Sequence, residues 1–340
     1  MKITEKQIVK ALSGLFKKYF YEFPATAKRI NGGVSGRIIF RLSSRNYTCI
    51  GVHNKKIPEN RAFIEFSYSL LNAGLRVPQI YCVSENNEYY LEEFLGYKSL
   101  FELTKDKIIT GKEKIKLYRQ ALSDLVLFQV KGKDAINYRY CYETKSFSRK
   151  QIYYDIGRCF EYYINKLTSL KLSKREFLSI RKILSDRLKK EKNKYFMYRD
   201  FQPRNIMFKD GELSYIDYQS GRKGQMQYDV ASFLYSGSIH INESQRKGLL
   251  DYYIKEAART AGIKENEFRE NYYYFVLIRL IQLLGSYGYL YSESKNNIFI
   301  SKMEKAIENI KSITKYLEDE VIKKFAQEIS RYPIRTSKNQ

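Results

Sequence analysis

Chemistry-bearing residues concentrate in one stretch of this 340-residue sequence. It runs Tyr195-Phe-Met-Tyr-Arg-Asp200-Phe-Gln-Pro-Arg-Asn205-Ile-Met-Phe-Lys-Asp-Gly-Glu-Leu-Ser-Tyr-Ile-Asp217-Tyr-Gln-Ser-Gly. Asp200 and Asn205 form Asp-x-x-x-x-Asn in a loop leaving a short strand. Asp217 ends the second strand of a hairpin whose turn is Lys209-Asp-Gly-Glu212. A carboxylate with a neighbouring amide and a second carboxylate at the same edge suits phosphoryl transfer. That reaction has a loose transition state and needs positioned groups and charge neutralisation more than covalent help. Asp200 would orient or deprotonate an acceptor hydroxyl, while Asn205 and Asp217 would be hard oxygen ligands for Mg2+. Asp and Asn also build turns and caps unaided; it is the hairpin carboxylate and the setting that favour chemistry.

The setting is a change of texture along the chain. An amphipathic opening helix over 3–21, stopped by Pro24, is followed by strand-like pieces at 25–30, 37–42 and 47–52. A helix over 58–73 leads to two more strands near 79–83 and 88–93. Beyond Gly96 the pattern is helical, at 99–107, 111–131, 148–168, 173–193, 228–236, 243–262, 268–290 and 298–329, broken only by the island at 195–218. These patterns predict an α+β chain of two lobes. A β-rich lobe covers 1–95 and a helical catalytic lobe covers 96–331, with a polar, frayed tail at 332–340. The turn after the first strand holds Gly32, Gly33, Ser35 and Gly36. Its backbone N–H groups could approach phosphates, although glycines also serve turn geometry alone. Arg204, inside the Asp–Asn loop, and Arg222 and Lys223, just past Asp217, could grip a substrate carboxylate or phosphate; otherwise they are solvated loop cations.

With these residues in place, the segment 195–235 resembles the bacterial branch of aminoglycoside-phosphotransferase-like enzymes, nearest the N-acetylmuramate/N-acetylglucosamine anomeric kinases. Tyr198-Arg-Asp-Phe-Gln-Pro-Arg-Asn-Ile-Met207 and Ile216-Asp-Tyr-Gln-Ser-Gly221 carry the likeness most specifically. Looser support comes from Ser35-Gly-Arg-Ile-Ile-Phe-Arg-Leu42, Glu59-Asn-Arg-Ala-Phe63, Gly74-Leu-Arg-Val-Pro78, Phe147-Ser-Arg149 with Tyr154-Asp155, and the run from Arg279 to Gly288. The resemblance implies a protein-kinase-like bilobal fold, ATP or GTP with Mg2+, and a sugar or N-acetylated amino sugar as acceptor. It also implies a structural Asp229 bracing the catalytic loop and a hinge at Glu93–Gly96 whose backbone meets the base. Two departures stand out. Tyr198 occupies a position where many relatives have His. The third strand, Cys49-Ile-Gly-Val52, lacks the nucleotide-gripping Lys, a role that Arg37 or Arg41 on the preceding strand could take.

Composition narrows the classes. With 61 Lys and Arg against 37 Asp and Glu, the formal charge of +24 favours anionic partners. The basic residues are scattered and no nucleic-acid module is visible, so nucleic acid is possible but not favoured. Four cysteines without a C-x-x-C pair and only two histidines argue against a zinc site. No signal-like opening or membrane-length apolar run occurs; the most apolar tract, near 272–290, is interrupted by Arg279 and Gln282. A cytoplasmic protein with reduced thiols is expected. The alternatives are an aminoglycoside- or choline-like metabolite kinase, and a non-catalytic, pseudokinase-type regulator or RNA-associated module. The sequence does not specify an oligomeric state.

Overall fold

The computed structural model describes residues 3–30, 36–105, 109–190, 192, 194–332 and 334–335. Helix α1 (Glu5–Phe20) opens on Thr4, whose hydroxyl accepts from the Gln7 N–H while the Gln7 side chain accepts from the Thr4 N–H. This reciprocal box satisfies two donors that a helix start leaves orphaned. The helix closes at Tyr21 in the left-handed conformation, with its N–H on the Lys17 carbonyl, so the stop comes before Pro24. Strands β1 (Thr26–Ile30), β2 (Ile38–Ser43) and β3 (Thr48–His53) precede α2 (Ile57–Asn72), and β4 (Ile80–Val83) and β5 (Tyr89–Glu93) complete an antiparallel sheet of order β1-β2-β3-β5-β4. Its period-2 alternation sends Phe40, Leu42, Cys49 and Leu91 against Ile8, Leu12 and Phe16 of α1. The opposite face contributes Val52 and Tyr90 to the large core shared with the helices. Full burial of each α1 anchor is worth about 1.5–3 kcal/mol.

After Gly96 come β6 (Lys98–Ser99), α3 (Leu100–Lys105) and α4 (Gly111–Ala135). Helix α5 (Arg149–Cys159) runs on through a π-helical turn, Phe160–Ile164, into the single turn α6 (Asn165–Leu167), and α7 (Lys174–Lys189) follows. The island then supplies β7 (Tyr195–Met197), β8 (Ile206–Lys209), β9 (Glu212–Tyr215) and β10 (Arg222–Gly224). β8 pairs with both β9 and β6, and β7 pairs with β10. Helices α8 (Met226–Leu234), α9 (Glu243–Ala261), α10 (Glu265–Ser294), α11 (Ile298–Ile313) and α12 (Glu320–Arg331) close the chain. The single helix expected over 298–329 is therefore two. Leu317 packs in extended conformation, and Asp319 accepts from the N–H groups of Val321 and Ile322, starting a new helix. The expected frayed tail is also partly ordered: Ile334 is buried and the Arg335 N–H donates to the Leu167 carbonyl.

Helix α10 is the axis of the helical part. It packs on α5 so closely that a Cβ on Gly285 would sit 2.7 Å from the Cys159 nitrogen, and one on Gly288 would sit 2.6 Å from the Tyr162 carbonyl oxygen. Both obstacles are backbone and cannot swing aside. Gly288→Ala should therefore destabilise the protein by about 1–3 kcal/mol. Gly248→Ala, in open space on α9, should be neutral or stabilising by up to about 1 kcal/mol. Urea unfolding of both variants checks the packing; equal midpoints for the two would contradict it.

Candidate active site

The loop after β7 is held by one buried carboxylate. Asp229, in the first turn of α8, accepts from the backbone N–H of Tyr198 at 2.8 Å, from that of Arg199 at 2.7 Å and from Gln129 Nε2 at 3.1 Å. Burial pushes its carboxyl up to about 7 even though those three donors pull it down. With both amides tied, the chain accepts a left-handed Arg199 at φ 78°, a cost few non-glycine residues bear outside functional loops. Asp200 follows at once. The Tyr198 side chain is buried and its hydroxyl donates to the Ile216 carbonyl at 2.6 Å, joining the Asp200 loop to the Asp217 loop.

Asn205 joins them again. Its Nδ2 donates to the Asp200 carbonyl at 2.9 Å and to Asp217 Oδ2 at 3.3 Å, and its carbonyl accepts from the Ile216 N–H. With the amide nitrogen so used, the amide oxygen is the atom left for a ligand. Asp217 is also left-handed, at φ 71°, and its Oδ1 accepts from Gln219 Nε2 and from Arg37 Nη2, both at 2.8 Å. Among the described residues no three His, Cys, Asp or Glu side chains converge as a metal cluster. An Asp carboxylate beside an Asn amide is a hard-oxygen donor set that fits Mg2+ completed by phosphate oxygens and water rather than a closed protein cage.

The nucleotide side resolves the two candidate arginines. Arg37 reaches Asp217 and also pairs with Glu59 of α2 at 3.0 Å. Burial disfavours its charge, but Asp217, Tyr90 and Glu59 outweigh that and keep it protonated. Arg41 lies elsewhere, its guanidinium 4.7 Å from the Tyr97 ring centroid and 5.9 Å from that of Phe94. It covers the hinge aromatics and touches neither Asp217 nor Glu59. Gly36 takes a left-handed φ of 73° immediately before Arg37; Gly32, Gly33 and Ser35 lie outside the described residues. Glu93 ends β5 with its N–H on the Gln79 carbonyl and a carboxylate oxygen 3.3 Å from the Gln79 nitrogen, so that N–H is not free for a base. One residue earlier, Glu92 stands opposite Ile50 on β3. Burial pushes its carboxyl up to about 8, with Arg37 pulling it down and Asp217 pushing it further up.

On the acceptor side, Arg279 of α10 is buried and donates to Asp200 Oδ1 at 3.1 Å and to Gln282 Oε1 at 2.6 Å. Arg204 is exposed, and its charge lies close enough to Lys302 of α11 to lower the lysine's pKa, after burial. Arg222 corrects an expectation. It is 1% exposed and donates to Glu143, Thr144, Gln151 and the Ser220 carbonyl, so it cannot reach a substrate. The alternation of β10 turns it inward and leaves Lys223 exposed, with its ammonium 4.9 Å from the Tyr138 ring centroid.

Four partners of the site escaped site-by-site reading of the sequence: Glu59, Glu92, Gln219 and Arg279. Arg279 had left a signal, a cation inside the most apolar tract of the chain. Glu59 lay in a segment marked only for its resemblance. Gln219 lay in the Ile216–Gly221 motif without a role of its own, and Glu92 left none.

Comparison with known proteins follows this geometry. Residues 155–263 match the model of the phosphotransferase enzyme family. The matched segment is about a third of the chain. It contains Asp200, Asn205, Asp217 and Asp229 and does not include the five-stranded sheet. The N-acetylmuramate/N-acetylglucosamine kinase of Pseudomonas aeruginosa is 24% identical over 201 residues, an alignment spanning 58% of this chain and about half (55%) of that protein. Among solved structures, an amicoumacin kinase in complex with AMP-PNP superposes with a TM-score of 0.62 at 10% identity, covering 96% of this chain and 93% of its own. The choline kinase of Cryptosporidium parvum gives 0.61 at 14% identity, covering 89% and 96%. The fold is thus the bilobal kinase-like one: a small antiparallel sheet beside a mainly helical lobe. No helix among the described residues is long and apolar enough to cross a membrane.

Asp229→Asn exchanges an acceptor for an NH2 that must face backbone donors. It should cost about 1–3 kcal/mol and lower Tm, measured by calorimetry. A variant as stable as the parent would contradict the bracing role.

Proposed function

We propose that this chain is an ATP-dependent small-molecule kinase that phosphorylates a hydroxyl of a sugar or N-acetylated amino sugar. The observation that carries the proposal is the meeting of Asp200, Asn205 and Asp217 at one edge, with Asn205 Nδ2 bridging the Asp200 carbonyl and the Asp217 carboxylate. Asp200 is the group for the acceptor hydroxyl: it would orient that oxygen for in-line attack and receive its proton. The Arg279 guanidinium fixes one carboxylate oxygen and leaves the other for the substrate. Asn205 and Asp217 would hold Mg2+, which supplies charge neutralisation across the transferred phosphoryl group.

Arg37 takes the place of the missing third-strand lysine. Glu59 anchors it from α2 as a carboxylate anchors the phosphate-binding lysine in protein kinases, and a guanidinium offers a two-pronged grip on phosphate oxygens. Arg37 and Asp217 neutralise one another across the site. A nucleotide with Mg2+ is supported by the family match and by relatives whose structures hold AMP-PNP, AMP or ATP.

The acceptor class is supported by charge as well as by the Pseudomonas relative. The Arg279 guanidinium sits on Asp200, and the chain as a whole carries a formal charge of +24. That field disfavours a polycationic aminoglycoside more than a neutral or carboxylated sugar. Proposals of a protein without catalysis lose ground because Asp200, Asn205, Asp217 and a substitute cation all stand in place.

Incubation with Mg–ATP and a panel of hexoses and N-acetylhexosamines should give a sugar phosphate. Asp200→Asn should lower kcat by a factor on the order of 10^2–10^4 with the fold intact by circular dichroism. Turnover by that variant at the parent rate would overturn the mechanism. Arg37→Met should raise KM for ATP about tenfold or more while leaving KM for the acceptor unchanged. An unchanged KM for ATP would remove Arg37 from the phosphate grip.

A further inference from the structure

One face of the five-stranded sheet carries an acid among apolar side chains. On that face β2 contributes Ile39 and Arg41, β3 contributes Ile50 and Val52, and β5 contributes Tyr90 and Glu92. Glu92 stands opposite Ile50 on one side and Ile80 of β4 on the other, a place where cross-strand packing favours a third aliphatic side chain. Its carboxyl makes no hydrogen bond or ion pair with any described residue, and Oε2 is buried without a partner. The side chain as a whole is only half-buried, so the acid is not sealed off from the cleft. A carboxyl held this way costs the fold stability, and burial pushes it up to about 8. An acid kept against the local pattern, with no contact inside the protein to offset it, marks a place to look for a ligand.

The strand register places this acid at the base end of the nucleotide cleft. Arg37, beside Asp217, marks the phosphate end. Four residues on, about 13 Å along an extended chain, Arg41 lies over Phe94 and Tyr97 of the hinge. Arg41, Ile50 and Glu92 form a single row across β2, β3 and β5. Glu92 therefore belongs to the row nearest the hinge, and the chain enters the hinge one residue later. A base reaching that row would lie against the half-buried Ile39 and Ile50, which offer it an apolar face. Its polar edge would turn toward the hinge, where the Glu93 N–H is already taken by the Gln79 carbonyl. The Glu92 carboxyl, by contrast, is uncommitted.

A carboxyl has an oxygen that accepts a hydrogen bond whether or not the group carries its proton. An N–H on the base edge is thus satisfied in either state. Position 6 is where the purines differ: adenine presents an amino group that donates, and guanine a carbonyl that accepts. The carbonyl finds a donor only while the acid is protonated, and against the carboxylate both acceptors go unpaired. We propose that Glu92 is the residue that selects the nucleotide base, accepting from the 6-amino group of adenine and so favouring ATP over GTP. This rests on the nucleotide-dependent kinase reading above and deepens it.

The probes are the Mg2+ complexes of ATP, GTP and inosine triphosphate, which carries the 6-carbonyl of GTP without its 2-amino group and so isolates position 6. Calorimetric titration of the full chain requires no acceptor sugar. The parent should bind ATP about 30-fold or more tighter than inosine triphosphate. Glu92→Leu should weaken ATP about tenfold or more and leave the other two nucleotides within about threefold of the parent. Its unliganded Tm should be no lower than that of the parent, because an unpaired acid between two isoleucines has been replaced by an aliphatic group. Glu92→Gln can turn either its oxygen or its NH2 toward the base. It should hold ATP within about threefold of the parent and bring inosine triphosphate to a similar affinity. Equal affinity of the parent for ATP and inosine triphosphate would overturn the assignment, as would a preference for ATP that survives in Glu92→Leu. An equal loss for all three nucleotides in that variant would make Glu92 a structural group and overturn it too. Failure of the parent to bind any of the three would instead remove the kinase reading itself, and this inference with it.

Discussion

The loop that carries Asp200 depends on one buried carboxylate. Asp229 takes the amide hydrogens of two successive residues, Tyr198 and Arg199, and so fixes a turn that L-residues otherwise avoid. Everything downstream follows from where that turn aims the chain. Asp200 emerges toward Arg279 and Asn205 reaches back to the Asp200 carbonyl. The Tyr198 hydroxyl meets the strand end that carries Asp217. Burying a carboxyl is expensive, as the upward push on its pKa records, and the loop's geometry is what that expense secures. The same logic appears in Arg222, also buried, whose bonds to Glu143, Thr144 and Gln151 tie α5 and the segment before it to β10.

A second constraint links the sheet to the helical part. Arg37 and the Tyr218 ring cross from one to the other. Arg37 joins Glu59 and Asp217, while Tyr218 stacks on Phe63 at 5.0 Å and shares a hydrogen bond with Ser67. The residue that would hold metal is thus flanked by groups answering to α2. The guanidinium neutralises a carboxylate that lies near Glu59 and Glu92. A metal ion and phosphates can take over both halves of that pair without leaving a buried charge alone. These contacts support the proposal that Arg37 stands in for a third-strand lysine.

The elements were legible in the sequence where one physical signal dominated. The 3.6-residue period located α1, and period-2 runs located the strands. The island from 195 to 218 announced its chemistry because Asp, Asn and a hairpin Asp rarely fall together for structural reasons alone. What could not be read was set by partners distant in sequence. Whether Arg37 or Arg41 meets the phosphate region depends on strand twist and on Phe94 and Tyr97, which hold Arg41 at the hinge. The inward turn of Arg222 depends on β10 pairing with β7, a ladder only three residues long. Arg279 was visible as an anomaly in an apolar helix, but its target lay 79 residues away. The break between α11 and α12 rests on a single capping Asp319, which competes with helix continuation only once Leu317 is packed.

The account stands or falls on whether Asn205 and Asp217 form a metal–nucleotide site. Thermal denaturation with Mg2+ alone, with ATP alone and with both tests this directly. The parent should gain several degrees only when both are present, and Asp217→Asn should lose that gain while keeping its unliganded Tm within a few degrees of the parent. Stabilisation by ATP that ignores Mg2+, or that survives in Asp217→Asn, would contradict the central claim.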